Sequence, residues 1–172
     1  MALRIVVMGV SGCGKSTLAQ ALAQALQCPF IEGDALHPQA NRDKMAAGLP
    51  LDDADRGPFL QAVATALRGQ THAVAACSAL RRRYRDLLRD QAGPLHFVLP
   101  VLDESLLRQR LALRQGHFMP ARLLDSQLAS FETPTADEPV IRVDARLATA
   151  AQVQQVLQAL ALRPAGDQGA GR

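Results

Sequence analysis

The sequence predicts one α/β domain in which helices flank a doubly wound parallel sheet. Short apolar segments alternate with longer amphipathic segments along the chain, which is the pattern of β-α repeats. The length of 172 residues suits one domain, which we expect over residues 1–163. Beyond it the composition shifts to Pro, Gly, Asp and Gln, so residues 164–172 are expected to form a flexible C-terminal tail.

Five strands are expected, because several apolar segments are rich in β-branched residues, as strands covered on both faces are. They occupy residues 3–8, 29–32, 72–77, 95–101 and 140–143. Six helices are expected at residues 15–26, 56–68, 80–90, 104–114, 122–129 and 150–162. In the last of these, Val153, Val156, Leu157 and Leu160 share one face, which is the spacing of a helix packed on a core.

The composition argues against several classes of protein. Hydrophobic residues make up 48% and charged residues 20% of the chain, the balance of a globular protein rather than a disordered one. The net charge of +3 comes from arginine, since Lys15 and Lys44 are the only lysines, and acidic residues are interspersed with the basic ones. With aromatic residues at 3% and no Trp, we expect no nucleic-acid partner. No apolar run approaches membrane-spanning length, so we expect no membrane partner.

Cysteine usage favours a reducing compartment. Cys13, Cys28 and Cys77 are an odd set without a C-x-x-C pair, which fits reduced thiols in a cytoplasmic protein. The apolar opening at residues 3–10 is too short for a secretory signal and leads straight into a loop motif, so export is not expected. Cys77 is interpreted as a small core residue at a strand end, because no basic partner is assigned to it.

Residues 9–16 carry the phosphate-binding motif G-x-x-x-x-G-K-[ST], with an apolar strand before it and a helical pattern after it. Its glycines let several backbone N–H groups point at one anion, and the start of the helix adds its positive end. Lys15 can then reach the β- and γ-phosphates of ATP, while the Ser16 hydroxyl binds Mg²⁺. The alternative is a glycine-rich turn that precedes a helix by chance. The predicted nucleotide contacts are Gly9, Val10, Ser11, Gly12, Cys13, Gly14, Lys15, Ser16 and Thr17.

A phosphate acceptor is expected near the end of the second strand, because open α/β sheets bind ligands beyond the carboxyl ends of their strands. Asp34 stands there, where a carboxylate can accept a hydroxyl proton, or hold the acceptor and a metal's water. The alternative is that Asp34 only caps a following helix. His37 is a weaker candidate, since a histidine before proline is often a loop hydrogen-bonding residue. Residues 48–56 form a loop with three carboxylates and an arginine, and some of these acids are expected to start a helix.

From Gly33 to Arg56 the chain reads G-D-x-L-H-P-x-x-N-x-x-K-M-x-x-G-x-P-L-x-D-x-D-R. This segment resembles the gluconate kinase family. Residues 77–80, 84–89 and 110–118 carry further parts of the same resemblance, which with the phosphate loop covers most of residues 5–134.

The resemblance implies a P-loop kinase fold like that of shikimate and nucleoside monophosphate kinases, with ATP and Mg²⁺. It also implies phosphoryl transfer to the 6-hydroxyl of D-gluconate by a homodimer. Asp34 becomes the expected acceptor-orienting base, and the expected sugar-acid contacts are Asp34, His37, Arg56, Ser78, Arg85 and His117. The chain departs from the family at Phe59, where Trp is usual, and at residues 126–134 near the adenine side, where a Phe and a Leu are exchanged.

A small mobile lid is expected at about residues 114–122, because residues 116–120 can hinge after an arginine-bearing helix. Arg110 and Arg114 are four residues apart and would share a helix face, where both can converge on one phosphate chain. We expect both to act in catalysis with Lys15 and Asp34, and Arg110 to contact the nucleotide. The alternative is a solvated arginine face near the negative end of the helix. We interpret Arg108 as a solvated residue of this kind. The three arginines at residues 81–83 are likewise interpreted as solvated side chains at the start of a helix.

Two other functions fit a phosphate loop. One is a related small-molecule kinase, acting on shikimate or a nucleoside monophosphate. Shikimate kinases normally carry D-x-D after the second strand, where this chain has Gly33-Asp34-Ala35, which disfavours shikimate. The other is a nucleotide-dependent regulatory module that hydrolyses ATP slowly and signals to a protein partner. The sequence contains no N-K-x-D guanine-specificity motif and no obvious partner-binding extension.

Overall fold

Five parallel strands form the central sheet: β1 (Leu3–Val7), β2 (Phe30–Glu32), β3 (His72–Ala76), β4 (His96–Val101) and β5 (Val140–Asp144). Their order across the sheet is β2-β3-β1-β4-β5, and every neighbouring pair is parallel. This computed structural model describes residues 1–114 and 121–162, and each strand there ends within one residue of its predicted limits. Most of the predicted lid, with His117, and the predicted tail at 164–172 lie outside the described residues.

The helices are α1 (Lys15–Leu26), α2 (Gln39–Ala46), α3 (Asp53–Arg68), α4 (Arg82–Ala92), α5 (Glu104–Leu113), α6 (Ala121–Ser130) and α7 (Thr149–Ala159). All six predicted helices are confirmed, with small shifts at their ends. α2 has no counterpart among them, because Asn41 is its only buried residue and it carries no apolar stripe. α3 begins at Asp53, earlier than predicted, because Asp52 and Asp55 form a reciprocal capping box. Within the described ranges, none of these helices has the length and apolar character needed to cross a bilayer.

Helices cover both faces of the sheet, so the sheet is doubly wound as predicted. Ile5 and Val7 of β1 pack in the cluster that includes α1 and α7, while Val6 packs in the cluster that includes α3 and α4. All three side chains are fully buried. Burial on both faces explains why Ile5, Val6 and Val7 are all apolar, and it anchors the loop that follows this strand.

The central position of β1 determines where a ligand can bind. Within the sheet, β3 and β2 lie beyond one edge of β1, and β4 and β5 lie beyond its other edge. The strand order therefore reverses beside β1, and open α/β sheets bind ligands at the carboxyl end of such a switch point.

Candidate active site

The phosphate loop lies at the end of β1. Gly9, Gly12 and Gly14 have φ angles of 131°, 85° and 91°, in the range that favours glycine. A Cβ atom at Gly9 would lie 2.9 Å from Cys13 Sγ, and one at Gly12 would lie 2.9 Å from Leu111 Cγ. A larger residue at either position would distort the loop, both through its backbone conformation and through these contacts.

The start of α1 is open to an anion. The helix begins at Lys15, and among the described residues no side chain caps its first turn. Its first N–H groups point out of the helix, and the helix dipole adds positive charge there. Lys15 Nζ donates to Val10 O at 3.4 Å, and the Ser11 N–H donates to Gln127 Oε1 at 2.8 Å. Burial raises the pKa of the Cys13 thiol, which keeps the loop free of a competing negative charge.

A cavity of about 350 Å³, which we call the main cavity, opens beside the loop. Its polar lining consists of Ser11, Lys15, Asp34, His37, Arg56, Ser78, Arg114, Ser126 and Gln127. Phe59 contributes an aromatic wall to this cavity. Six of the predicted catalytic or substrate-contacting residues thus share one cavity: Lys15, Asp34, His37, Arg56, Ser78 and Arg114.

Asp34 reaches the main cavity from a 3-10 turn, Gly33–Leu36, that follows β2. Gly33 packs so closely on the end of β3 that a Cβ atom there would lie 2.2 Å from Ala76 O. This contact fixes the turn against the sheet. α2 begins only at Gln39 and its N-cap is Pro38, so Asp34 does not cap that helix.

Neighbouring side chains hold His37 and Arg56 at the cavity wall. The His37 ring stacks on Phe59, with ring centroids 3.7 Å apart and 13° between the planes. Burial lowers the pKa of His37, so its ring is neutral near pH 7. The Arg56 guanidinium lies over the Tyr84 ring, 5.6 Å from its centroid, and donates to Leu51 O. Both residues are therefore oriented before any ligand binds.

Arg110 and Arg114 flank the phosphate loop instead of converging from one helix face. α5 ends at Leu113, and Arg114 follows in an extended conformation (φ −76°, ψ 108°), so the predicted pairing along a helix is wrong. Arg114 lines the main cavity. Arg110 donates to Ala145 O at 2.7 Å and lines a second cavity of about 210 Å³, which we call the side cavity. The side cavity is lined by Cys13, Gly14, Thr17, Leu18, Arg110, Ala145, Leu147, Ala148, Thr149 and Gln152.

Residues 126–134, which are predicted to lie near the adenine side, border two cavities. Ser126 and Gln127 line the main cavity beside Asp34. Leu128 and Phe131 line a third, mostly apolar cavity of about 150 Å³ on another side of the loop. None of residues 126–134 is among the described residues that line the side cavity around Thr17.

Arg85 lies in the core, which corrects its prediction as a substrate contact. Its side chain is 0% exposed and forms two hydrogen bonds of 2.7 Å with the Glu138 carboxylate. Its remaining N–H groups donate to the carbonyl oxygens of Ala79, Leu80 and Glu132. Hydrogen bonding from Arg85 holds the pKa of Glu138 below its usual range. A guanidinium saturated in this way supports the segment after β3 and does not reach a ligand.

We expect Arg85→Met to lower the free energy of unfolding by about 3–5 kcal/mol, because it leaves the buried Glu138 carboxylate without its two hydrogen bonds and with only Arg89, 3.8 Å away, as a charge partner. The double variant Arg85→Met/Glu138→Leu should recover most of this loss, since it removes both charges. Arg82→Met is the matched control: Arg82 also pairs at 2.7 Å, with Asp137, but both side chains are exposed. Little change is expected there. Urea unfolding measures all three variants, and a double variant less stable than Arg85→Met would contradict this account.

The predictions for Arg108 and Cys77 concern residues that line none of the three cavities described above. Arg108 pairs with Glu104 and Asp125 on the surface, as its solvated interpretation predicts. Cys77 is a buried core residue, and burial raises the pKa of its thiol to about 12, which excludes a thiolate nucleophile near neutral pH. Across residues 1–114 and 121–162, no group of three or more His, Cys, Asp or Glu side chains could hold a metal ion.

Two residues of α6 that were not predicted as functional support the site. Gln127 accepts the Ser11 N–H of the phosphate loop, as described above. Arg122 donates to Ala47 O at 2.6 Å and packs against Gly48, so it joins α6 to the loop after α2. The available signal was weak, because each is a polar residue on an amphipathic helix whose partner lies far away in the sequence.

A parallel α/β sheet, a phosphate loop at its switch point and an adjoining polar cavity together define a P-loop kinase. The AAA domain family matches residues 5–134. A gluconokinase of Gluconobacter oxydans (strain 621H) is 54% identical over 143 residues, covering 81% of this chain and 80% of that protein. A crystal structure of a gluconokinase from Sinorhizobium meliloti 1021 has a TM-score of 0.85 and 47% identity, covering 93% of this chain and 92% of that one. The chain belongs to the gluconokinase family.

The chain is also similar to a crystal structure of a shikimate kinase from Bacteroides thetaiotaomicron, but at this low identity the similarity shows only a shared fold. The TM-score is 0.68 at 18% identity, over 94% of this chain and all of that one (100%). The predicted P-loop kinase fold and the predicted family are thereby confirmed, while the rival shikimate activity gains nothing from this comparison.

Proposed function

We propose that this member of the gluconokinase family transfers the γ-phosphoryl group of ATP to the 6-hydroxyl of D-gluconate, giving ADP and 6-phospho-D-gluconate. The observation that carries the proposal is that Lys15 of the phosphate loop and Asp34 line one cavity. In-line transfer needs a phosphate held on one side of such a space and an aligned alcohol on the other.

The phosphate loop holds the nucleotide in this proposal. Backbone N–H groups of residues 9–16 and the start of α1 bind the phosphates, and Lys15 adds a positive charge. The nucleoside enters the side cavity, where Thr17 and Arg110 border it. Arg110 and Arg114 offset, from two sides, the negative charge that spreads over the transferred phosphoryl group.

Magnesium arrives with the triphosphate rather than in a protein cage. Ser16, in the first turn of α1, offers one hydroxyl oxygen, and the described part of the chain holds no cluster of metal-ligating side chains. This donor set fits Mg²⁺, which keeps several waters and binds one or two protein groups together with substrate phosphates. When bound, the ion neutralises charge on the β- and γ-phosphate oxygens.

Asp34 aligns the acceptor and takes its proton. As the 6-hydroxyl oxygen bonds to the γ-phosphorus, the bond from that phosphorus to the bridging oxygen breaks, and ADP leaves with the electron pair. The hydroxyl proton passes to the Asp34 carboxylate. Arg56 offers a guanidinium to the carboxylate of gluconate, while His37 and Ser78 contact its hydroxyl groups.

The lid, the assembly and the location are proposals that the family resemblance supports. A lid at about residues 114–122 closes over the nucleotide to exclude water, and His117 contacts the substrate. The protein works as a homodimer in the cytoplasm, where its three free cysteines stay reduced. Its interspersed charges give it no nucleic-acid or membrane partner.

An assay that couples ADP release to a dye tests the proposed reaction, with D-gluconate, shikimate and nucleoside monophosphates offered separately. We expect ADP release to depend on gluconate alone, and mass spectrometry to find its 6-phosphate. Turnover of a different acceptor alone would overturn the choice of gluconate. Slow ATP hydrolysis that no acceptor stimulates, together with nucleotide-dependent binding to a protein, would favour a regulatory module instead.

A further inference from the structure

The His37 side chain is buried, although His37 lies in the loop between β2 and α2. Only 8% of the residue is exposed, and its ring stacks on Phe59. Its Nδ1 atom lies 3.2 Å from Asn41 Nδ2, and Asn41 itself is 3% exposed. Asn41 is the only asparagine in the chain, and it is the single buried residue of α2.

A second contact decides which way the Asn41 amide points. Asn41 Nδ2 lies 2.8 Å from the backbone oxygen of Asp55, in the first turn of α3. A carbonyl oxygen can only accept a hydrogen bond, so the atom that faces it must be the NH₂ group. The same NH₂ group carries a second proton, and that proton faces His37 Nδ1. His37 Nδ1 must therefore be the ring nitrogen with the free lone pair.

A neutral imidazole carries one proton, so the proton of His37 is on Nε2. Adding a second proton at Nδ1 would set two donors face to face, which opposes protonation of the ring. Burial acts in the same direction, lowering the pKa of His37, with the Asp34 charge opposing it and the charges of Arg56 and Arg42 reinforcing it. The ring therefore stays neutral with its tautomer fixed.

The remaining ring nitrogen is the one left for a ligand. His37 lines the main cavity. Its Nδ1 atom is taken by Asn41, and within the described part of the chain Nε2 forms no hydrogen bond. A ligand in the main cavity that contacts the polar edge of the ring would therefore meet Nε2.

We propose that Asn41 is a positioning residue that fixes His37 as the Nε2–H tautomer, so that His37 donates a hydrogen bond to an oxygen of the phosphate acceptor. The identity of the acceptor rests on the proposed function. This tautomer also distinguishes the hydrogen-bond donor of the cavity, His37, from the group that accepts the hydroxyl proton, Asp34. His37 cannot accept the proton of the reacting hydroxyl, because its only free lone pair is already used by Asn41, and that role is left to Asp34.

A long-range ¹H–¹⁵N correlation spectrum of protein labelled at histidine tests the tautomer directly. The chain has four histidines, and a His37→Gln variant identifies the His37 signals. We expect His37 to show a protonated Nε2 and an unprotonated Nδ1 near neutral pH. His72 and His96 are exposed and should show averaged tautomers, which provides an internal control. A protonated or averaged Nδ1 at His37 would overturn the inference, and this measurement needs no variant of Asn41.

Gluconate and an Asn41 variant test the consequence for binding. Adding gluconate should shift the Nε2–H signal of His37 and leave those of His72 and His96 in place. Asn41→Asp cannot donate to Nδ1 but can accept from it, so the single proton of the neutral His37 ring should move from Nε2 to Nδ1, and the Nε2–H donor is lost. The KM for gluconate should rise about tenfold, the effect of one lost hydrogen bond, with the KM for ATP unchanged. Gln39→Glu, the same amide-to-acid change at an exposed position of α2, is the control and should leave both KM values unchanged.

The outcomes for the two proposals can be told apart. If the unchanged protein does not phosphorylate gluconate, the proposed function fails, while the spectrum of the free protein still decides the tautomer. If gluconate is phosphorylated but the Nε2–H signal of His37 does not respond to it, the donor role of His37 is wrong and the proposed function stands. Equal rises in both KM values for Asn41→Asp would reduce Asn41 to a structural residue.

Discussion

Asp34→Asn is expected to lower kcat by about 100- to 10 000-fold, the range that a positioned general base contributes. Asparagine has the shape of aspartate, so the turn Gly33–Leu36 should keep its conformation, but the amide cannot take the proton of the acceptor. ATP affinity should stay close to that of the unchanged protein, because the phosphates are bound by the loop at residues 9–16. Steady-state kinetics and equilibrium nucleotide binding measure the two effects separately.

Asp43→Asn is the matched control for this variant. Asp43 is exposed on α2 and is not part of the main cavity lining, so the same chemical change there should leave kcat and ATP affinity unaltered. Equal losses of kcat and ATP affinity in Asp34→Asn would contradict the acceptor role of Asp34 and would indicate a role in metal binding or folding.

Lys15→Ala should lower kcat by about 100- to 1000-fold, the cost of removing one preorganised group that stabilises the transition state. ATP should also bind more weakly, because the ammonium group is attracted to the phosphates before the reaction as well as during it. Kinetics with ATP as the varied substrate, together with direct titration of ATP, measure these effects.

Lys44→Ala is the matched control for this variant, because Lys44 is the only other lysine in the chain. Its side chain is 40% exposed and pairs with Asp55 at the α2–α3 junction, away from the phosphate loop. Lys44→Ala should therefore keep ATP affinity. Retention of both ATP affinity and turnover in Lys15→Ala would show that the motif at residues 9–16 is not the nucleotide site.

Features determined by local sequence could be predicted well. β1 is identifiable because Ile5, Val6 and Val7 are apolar on both faces of the strand, and the phosphate motif fixes the start of α1 at Lys15. α2 could not be predicted in this way, since its single buried residue, Asn41, faces two polar partners rather than an apolar core. A periodic apolar pattern is informative only for helices that pack through such a face.

Residues that depend on distant partners were harder to assign. The family resemblance implied a substrate contact for Arg85, but Glu138, 53 residues away in the sequence, pairs with it in the core. Arg114 was assigned to a helix face, whereas α5 ends one residue before it. The end of a helix is decided by a few backbone hydrogen bonds, and sequence patterns locate it poorly.

The hydrogen bond between the Ser11 N–H and Gln127 sets an order of events. A triphosphate that settles on the loop brings charged oxygens, which are stronger acceptors than an amide oxygen, and a single N–H cannot point well at both. The incoming nucleotide would displace the Gln127 side chain, which is itself part of the main cavity wall. The second ligand would then meet a surface that the first has already rearranged, which favours nucleotide entry before sugar acid.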